Sequence, residues 1–206
     1  MQNNTLSRPG FSLSGTALKR IACLSMLLDH IGASLLENGL FKQGSFWPGD
    51  VQLDGVLRLA GRLAFPIFAF FIAEGYAHTR DFGRYFRRMA ILAVVSEVPF
   101  NLENGAVFDP ARQNVLWTFC LALLTLRGLE ALGRERGFGR WAGCGLVLAA
   151  SFGAGELLRT DYGGWGVVTV ALLYLCRDGK YAKLWLLLAM AAVNGLGMGS
   201  LTMPVF

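Results

Sequence analysis

The chain has 206 residues, 54% of them hydrophobic and 16% charged, with a formal net charge of +5. Soluble domains carry about a quarter charged residues and their helices show polar faces, whereas Leu63–Ile72, Val115–Leu126, Gly145–Ala150 and Leu184–Val193 are apolar all round. The basic residues sit in short clusters between the apolar runs, so the positive charge reads as membrane topology and excludes nucleic acid as the partner.

The expected fold is therefore an all-α polytopic membrane protein, one integral domain over 1–206 with a polar tail over 1–15. A helix crosses the hydrocarbon core of a bilayer in about 20 residues. On that measure the spans fall near Thr16–Asn38, Gly55–Ala77, Arg87–Leu102, Asn114–Leu132, Trp141–Leu158, Gly163–Cys176 and Tyr181–Leu196, about seven in all. Met1–Ser14 is polar, and Ala17–Leu36 is too long for the apolar core of a secretory signal and lacks a cleavage site, so the first span is expected to stay in the mature protein. Pro99 is expected to bend or end the third span. No repeat or second domain is visible, and the glycines from Gly143 to Gly155 read as sites of close helix approach. Cys23, Cys120, Cys144 and Cys176 have no metal-ligand spacing and read as small packing residues, without a disulfide or a metal.

Basic residues give the orientation. Arg8, Lys19 and Arg20 precede or open the first span, Arg80, Arg84, Arg87 and Arg88 follow the second, Arg127, Arg134, Arg136 and Arg140 follow the fourth, and Arg177, Lys180 and Lys183 follow the sixth. The alternate loops are poor in Lys and Arg. The positive-inside rule then puts the N-terminus in the cytoplasm and the C-terminus outside.

Several ionisable groups are left at membrane depth, where a charge costs several kcal/mol unless it is paired or hydrated. Asp29 and His30 lie in the first span, a little past the middle toward the outside. A neutral imidazole is a base or nucleophile, and a carboxylate can orient it or stabilise its cation. Neighbouring residues on a helix diverge by about 100°, so Asp29 is also placed to pair with a cation on another helix, for which Arg62 lies at a similar depth. Glu97 and Asn101 share a face of the third span at i,i+4, Gln113 and Asn114 open the fourth, and Thr118 follows one turn deeper than Asn114. With His30 these residues suggest a polar cavity open outward. Taken singly, each is as well explained by a helix cap or an interhelical hydrogen bond.

Glu74 and His78 form a second i,i+4 pair at the cytoplasmic end of the second span, followed by Thr79, Arg80 and Asp81. A polar path from a basic cytoplasmic mouth to an external His suits a long anionic donor with the shape of an acyl-CoA. Its phosphates would meet basic residues such as Arg80 and Arg84, although topology alone already explains those residues.

The segments KRIACLSMLLDHIG, GRLAFPIFAFFIAEGYAHTRD, RYFRRMAILAVVSEVPFNL and QNVLWTF, in this order over about Thr16–Thr118, resemble the F-pilin acetylase (TraX) family of membrane proteins. The resemblance implies a multi-pass protein of the bacterial inner membrane that transfers an acetyl group, with acetyl-CoA as donor, to an external acceptor. In the namesake that acceptor is the N-terminal amine of a pilin subunit. It implies His30 as base or transient acyl carrier, with Asp29 beside it. It also implies that Arg62, Glu74, His78, Glu97 and Gln113, each at a motif position, support the reaction or line the tunnel; Asn101 and Asn114 are expected beside Glu97 and Gln113, and Glu74, His78, Arg80 and Arg84 on the donor side. Family members continue into a last hydrophobic segment with an aromatic, Pro and His motif, whereas this sequence ends at SLTMPVF, so either the sequence is cut short of that helix or this member lacks it. Lipids are the expected surroundings, and an oligomer is compatible with the sequence. Two other functions fit the same polar residues. One is a proton-coupled transporter with Asp29, His30, Glu97 and Arg62 as a relay, against which no inverted repeat is found. The other is an assembly factor whose polar groups only hold helices together.

Overall fold

A computed structural model describes residues 14–31, 61, 64–103, 107, 109–133 and 138–177. Six α-helices account for nearly all of them: α1 Gly15–His30, α2 Ala64–His78, α3 Phe82–Glu103, α4 Val115–Leu132, α5 Phe138–Leu157 and α6 Gly163–Cys176. Among the described residues there is no strand, only an isolated bridge between Gln113 and Thr160. The chain divides into two compact units, Met1–Ile67 and Phe68–Phe206.

In the first unit, α1 begins where the Ser14 hydroxyl accepts the Ala17 N–H at 3.2 Å, a side-chain cap on the first turn. Ala22 and Ser25 are buried, and the Ser25 hydroxyl donates to the Gly61 carbonyl at 3.3 Å.

The second unit is built around α4, which packs on α3, α5 and α6, while α5 and α6 also pack on each other. Phe119, Cys120, Ala122, Leu123, Leu126 and Leu129 of α4 are buried, as are Val167, Val170, Ala171 and Leu173 of α6. Helix α3 begins at Phe82, five residues ahead of the expected span, because the Asp81 carboxylate caps it by accepting the Arg84 N–H at 2.9 Å. It also runs through Pro99 as far as Glu103, so the proline does not end it.

At one end of this unit Tyr76 knits α2, α3, α4 and α6 together. Its ring meets Phe82 and Tyr174 edge-on at 5.8 and 5.3 Å, and its hydroxyl donates to Glu130 at 2.5 Å. Arg127 shares Glu130 at 3.2 Å while its guanidinium covers Phe82, and Arg177 covers Tyr174. Aromatic rings with basic residues at helix ends are the composition of a membrane interface.

At the other end, α5 closes with a turn in which Thr160 N–H bonds to Gly155 O and Arg159 N–H to Glu156 O. Arg159 takes a positive φ of 52° there, the left-handed position that commonly ends a helix. Glu156 then accepts the Gly164 N–H at 2.8 Å, placing an acidic group on the first turn of α6. The turn also holds the entry to α4, since Gln113 N–H donates to Arg159 O at 3.0 Å and Arg112 lies 3.9 Å from Asp161.

Beside its apolar core, the second unit exposes large apolar side chains and buries polar ones. Val95 is 63% exposed and Leu146 71%, while Asn101 is 1% and Thr118 0% exposed. Val115–Leu132 is long and apolar enough to cross a membrane, and Gly163–Cys176 is a shorter apolar helix. None of the four cysteines is disulfide-bonded, and Cys23 is exposed rather than packed.

Candidate functional site

Asp29 and His30 close the described part of α1. As their separation on the helix requires, they differ in surroundings: Asp29 is half-buried and His30 exposed. Asp29 shares a face with Ser25, and both meet Gly61. A Cβ at position 61 would overlap the Asp29 Cβ and lie 2.6 Å from its carboxyl carbon and oxygen. The glycine that opens the GRLAFP segment therefore makes room for the carboxylate of the DHIG segment. Gly61→Ala is expected to push Asp29 from its place and to lower activity more than tenfold, with a smaller loss of stability of about 1–3 kcal/mol. Parallel activity and unfolding measurements check this. Arg62, the expected partner of Asp29, lies outside the described residues.

The second unit holds a separate polar cluster between α3 and α4. Glu97 and Asn101 come from α3, and Asn114, Trp117 and Thr118 from the start of α4. Asn114 caps α4, its side-chain oxygen accepting the Leu116 N–H at 3.0 Å. Its amide nitrogen reaches across to α3, donating to the Ala93 carbonyl at 2.9 Å and to Glu97 Oε2. Trp117 Nε1 donates to the same Oε2 at 3.1 Å. One carboxylate oxygen is thus fixed by two donors from the neighbouring helix. The other, Glu97 Oε1, is buried and has no hydrogen-bond partner among the described residues, and the same holds for Asn101 Nδ2 and Oδ1 and for Thr118 Oγ1.

The orphaned groups are a local feature, because other buried hydroxyls of this unit are satisfied. Thr125 donates to Leu121 O at 2.8 Å, Thr169 to Trp165 O at 2.8 Å, and Thr160 to Gly155 O at 3.4 Å. An unpaired buried polar group costs about 1–3 kcal/mol. Four such atoms, on three side chains of α3 and the start of α4, make this the candidate place for a ligand or ordered water. The cluster offers an acceptor at Glu97 Oε1, both a donor and an acceptor at Asn101, and a hydroxyl at Thr118.

Gln113 joins through its backbone, in the bridge to Thr160, rather than as a side chain of the cluster. Trp117 is the member that the sequence alone did not single out. Its signal was its place three residues after Asn114, on the same face, with an indole N–H that needs an acceptor when half-buried.

Glu74 and His78 adjoin each other as their spacing predicts. His78 Nδ1 is 3.5 Å from Glu74 Oε2 and 2.9 Å from the Glu74 carbonyl, and the His78 side chain is largely exposed. Arg80 is exposed, and Arg84 is 3.4 Å from Asp81. The four residues expected to face the donor thus lie along the end of α2 and the start of α3, with His78 and Arg84 paired to near neighbours in sequence. No group of three or more metal-ligating side chains occurs among the described residues.

Comparison with known proteins gives a relative and a family. The chain is 31% identical over 121 residues to a protein of Dichelobacter nodosus described as "Probable fimbrial assembly protein FimC, serogroup H1". That alignment covers 55% of this chain and 45% of the relative, so the chain spans about half the relative's length. No solved structure matches the chain. The TraX protein family profile matches residues 14–204, a range that takes in α1, α2, both polar clusters and everything between them. Together with the apolar α4 this match points to a membrane protein, and the chain belongs to the TraX family.

Proposed function

We propose that the protein is a membrane-embedded acetyltransferase that moves an acetyl group from cytoplasmic acetyl-CoA to an acceptor on the external side. The observation that carries the reading is the buried carboxylate Glu97, held on one oxygen by Asn114 and Trp117 and open on the other, beside the unpartnered Asn101 and Thr118. A packing cluster satisfies its own members, whereas this one is arranged to meet an incoming hydrogen-bonding group. Family membership supports the reaction class, and the name of the Dichelobacter relative supports a role in fimbrial assembly.

In this reading the basic residues mark the cytoplasmic side of a protein of the bacterial inner membrane with about seven spans. His30 serves as base or transient acyl carrier, and Asp29, seated against Gly61, orients it or pairs with Arg62. Glu74, His78, Arg80 and Arg84 receive the acetyl-CoA. The acceptor is a pilin N-terminal amine or another envelope molecule.

The test is transfer of labelled acetyl from acetyl-CoA by membranes that contain the full chain, joined to mass spectrometry of envelope proteins and glycans with and without the gene. A labelled product that disappears with the gene, at a site carrying an acetyl mass shift, is the expected result. Normal acetylation of every envelope component in the deletion strain, with fimbriae lost, would instead assign a purely assembly role.

A further inference from the structure

We propose that Glu97 is the proton acceptor for the nucleophile in acetyl transfer, a catalytic role separate from that of His30 and resting on the acetyltransferase reading above. The two carboxylate oxygens are not equivalent. Oε2 accepts from both Asn114 Nδ2 and Trp117 Nε1, so its lone pairs are committed. A proton arriving at this side chain therefore goes to Oε1, which is buried and unpartnered among the described residues.

The two donors also fix where Oε1 points. Asn114 is held at three places, by Leu116 N–H, by the Ala93 carbonyl and by Glu97 itself, so it cannot follow the carboxylate if that group swings. Trp117 is carried by the first turn of α4 and gives the second donor at 3.1 Å. A general base needs this combination: one oxygen immobilised, the other bare and buried away from bulk water. Asn101 and Thr118 supply the remaining contacts. Asn101 can accept a second N–H or O–H of the nucleophile through Oδ1, and its Nδ2 or the Thr118 hydroxyl can donate to an oxygen of the acceptor or of the acetyl group.

The step balances without a further reactant. The nitrogen or oxygen of the acceptor attacks the acetyl carbonyl carbon and forms the new C–N or C–O bond. The bond from that carbon to the CoA sulfur breaks, and the sulfur leaves with the electron pair as a thiolate. The proton from the attacking atom passes to Glu97 Oε1, making the neutral carboxylic acid. That acid later returns the proton to water, and the departing thiolate takes one up.

The experiment compares the full chain and its Glu97→Gln and Glu97→Asp variants in membranes of a host lacking the protein, with labelled acetyl-CoA as donor. Transfer is followed to the host's envelope acceptors and, separately, to added hydroxylamine, a strong nucleophile whose nitrogen is unprotonated at neutral pH. The expected result is a fall of about 10²–10⁴-fold for Glu97→Gln with the envelope acceptors. It comes with less than a tenfold fall for hydroxylamine and partial recovery of envelope transfer in Glu97→Asp. Transfer to hydroxylamine also reports that the variant is folded and binds donor. The proposal is overturned if Glu97→Gln keeps its envelope activity, or loses both acceptors equally. If the unaltered chain transfers acetyl to neither acceptor, the acetyltransferase reading fails, and this proposal with it.

Discussion

Replacement of His30 by alanine is expected to lower acetyl transfer by roughly 10²–10⁴-fold, the range for losing a group that moves a proton or forms the covalent bond in the reaction. The folded state should tolerate the change, because the imidazole is exposed at the end of the described part of α1 and its removal leaves no cavity. Labelled acetyl-CoA supplied without an acceptor separates the two roles. An acetylated enzyme that forms in the unaltered chain and not in His30→Ala identifies His30 as the carrier. Loss of rate with no labelled enzyme in either excludes the carrier role and leaves His30 as a proton-transfer group. Full activity in His30→Ala would remove His30 from the chemistry. Asp29→Asn should fall between the two proteins, since it keeps the shape fitted against Gly61 but loses the charge.

The largest expected loss of stability comes from Gly155→Leu. At this position α5 passes directly against the turn that opens α6. A Cβ would stand 2.7 Å from Gly164 N, 2.8 Å from Gly163 C and 2.9 Å from Gly163 O, all backbone atoms that cannot rotate away. The opposite side is equally tight, because a Cβ at Gly164 would fall 2.5 Å from the Phe152 carbonyl oxygen. Overpacking a close contact costs about 1–3 kcal/mol where side chains can adjust, and here the helices themselves must part. We expect more than about 3 kcal/mol, read as a lower unfolding midpoint in mixed micelles. Gly153→Leu is the control. Gly153 is exposed, and a Cβ there would meet nothing within 4 Å, so its replacement should change stability by no more than about 0.5 kcal/mol. Equal effects of the two substitutions would show that helix propensity, and not the α5–α6 approach, governs this region.

These glycines show how far the sequence could be read. The run from Gly143 to Gly155 was legible as packing, and two of its members behave so: Gly155 meets backbone, and a Cβ at Gly143 would lie 3.2 Å from Leu132. Gly145 and Gly153 meet nothing. The spacing of glycines along a helix does not reveal which of them has a neighbour, because that depends on where the partner helix crosses. The start of α3 differs from the start of the expected span for a different reason. Hydropathy locates the stretch that fits lipid, at Arg87, whereas the Asp81 cap sets the start of the hydrogen-bonded helix, with Arg84, Arg87 and Arg88 carried on its exposed first turns.

The candidate site was half legible. Helical spacing brought Glu97 and Asn101 to one face and placed Thr118 one turn beyond Asn114. It could not join the two pairs, since the contact between Asn114 and Glu97 is a matter of how α3 and α4 lie together. Trp117 was hidden inside the apolar run VLWTF, where an indole reads as core until its N–H finds an acceptor. For Glu74 and His78 the spacing alone sufficed, because the partner is on the same helix.

The bridge between Gln113 and Thr160 has a bearing on how the family could diversify. The bonds that close this rim are largely made by main-chain atoms: Gln113 N–H to Arg159 O, and Thr160 N–H to Gly155 O. Main-chain bonds survive most changes of side chain. The Arg112–Asp161 ion pair adds to a contact that main-chain atoms already make, so exchange of these two side chains should loosen, but not open, the entry to α4, where Asn114 and Trp117 hold the Glu97 carboxylate. On the proposed function, side chains at this turn would be free to change with the acceptor while the main-chain bonds keep the Glu97 cluster in place.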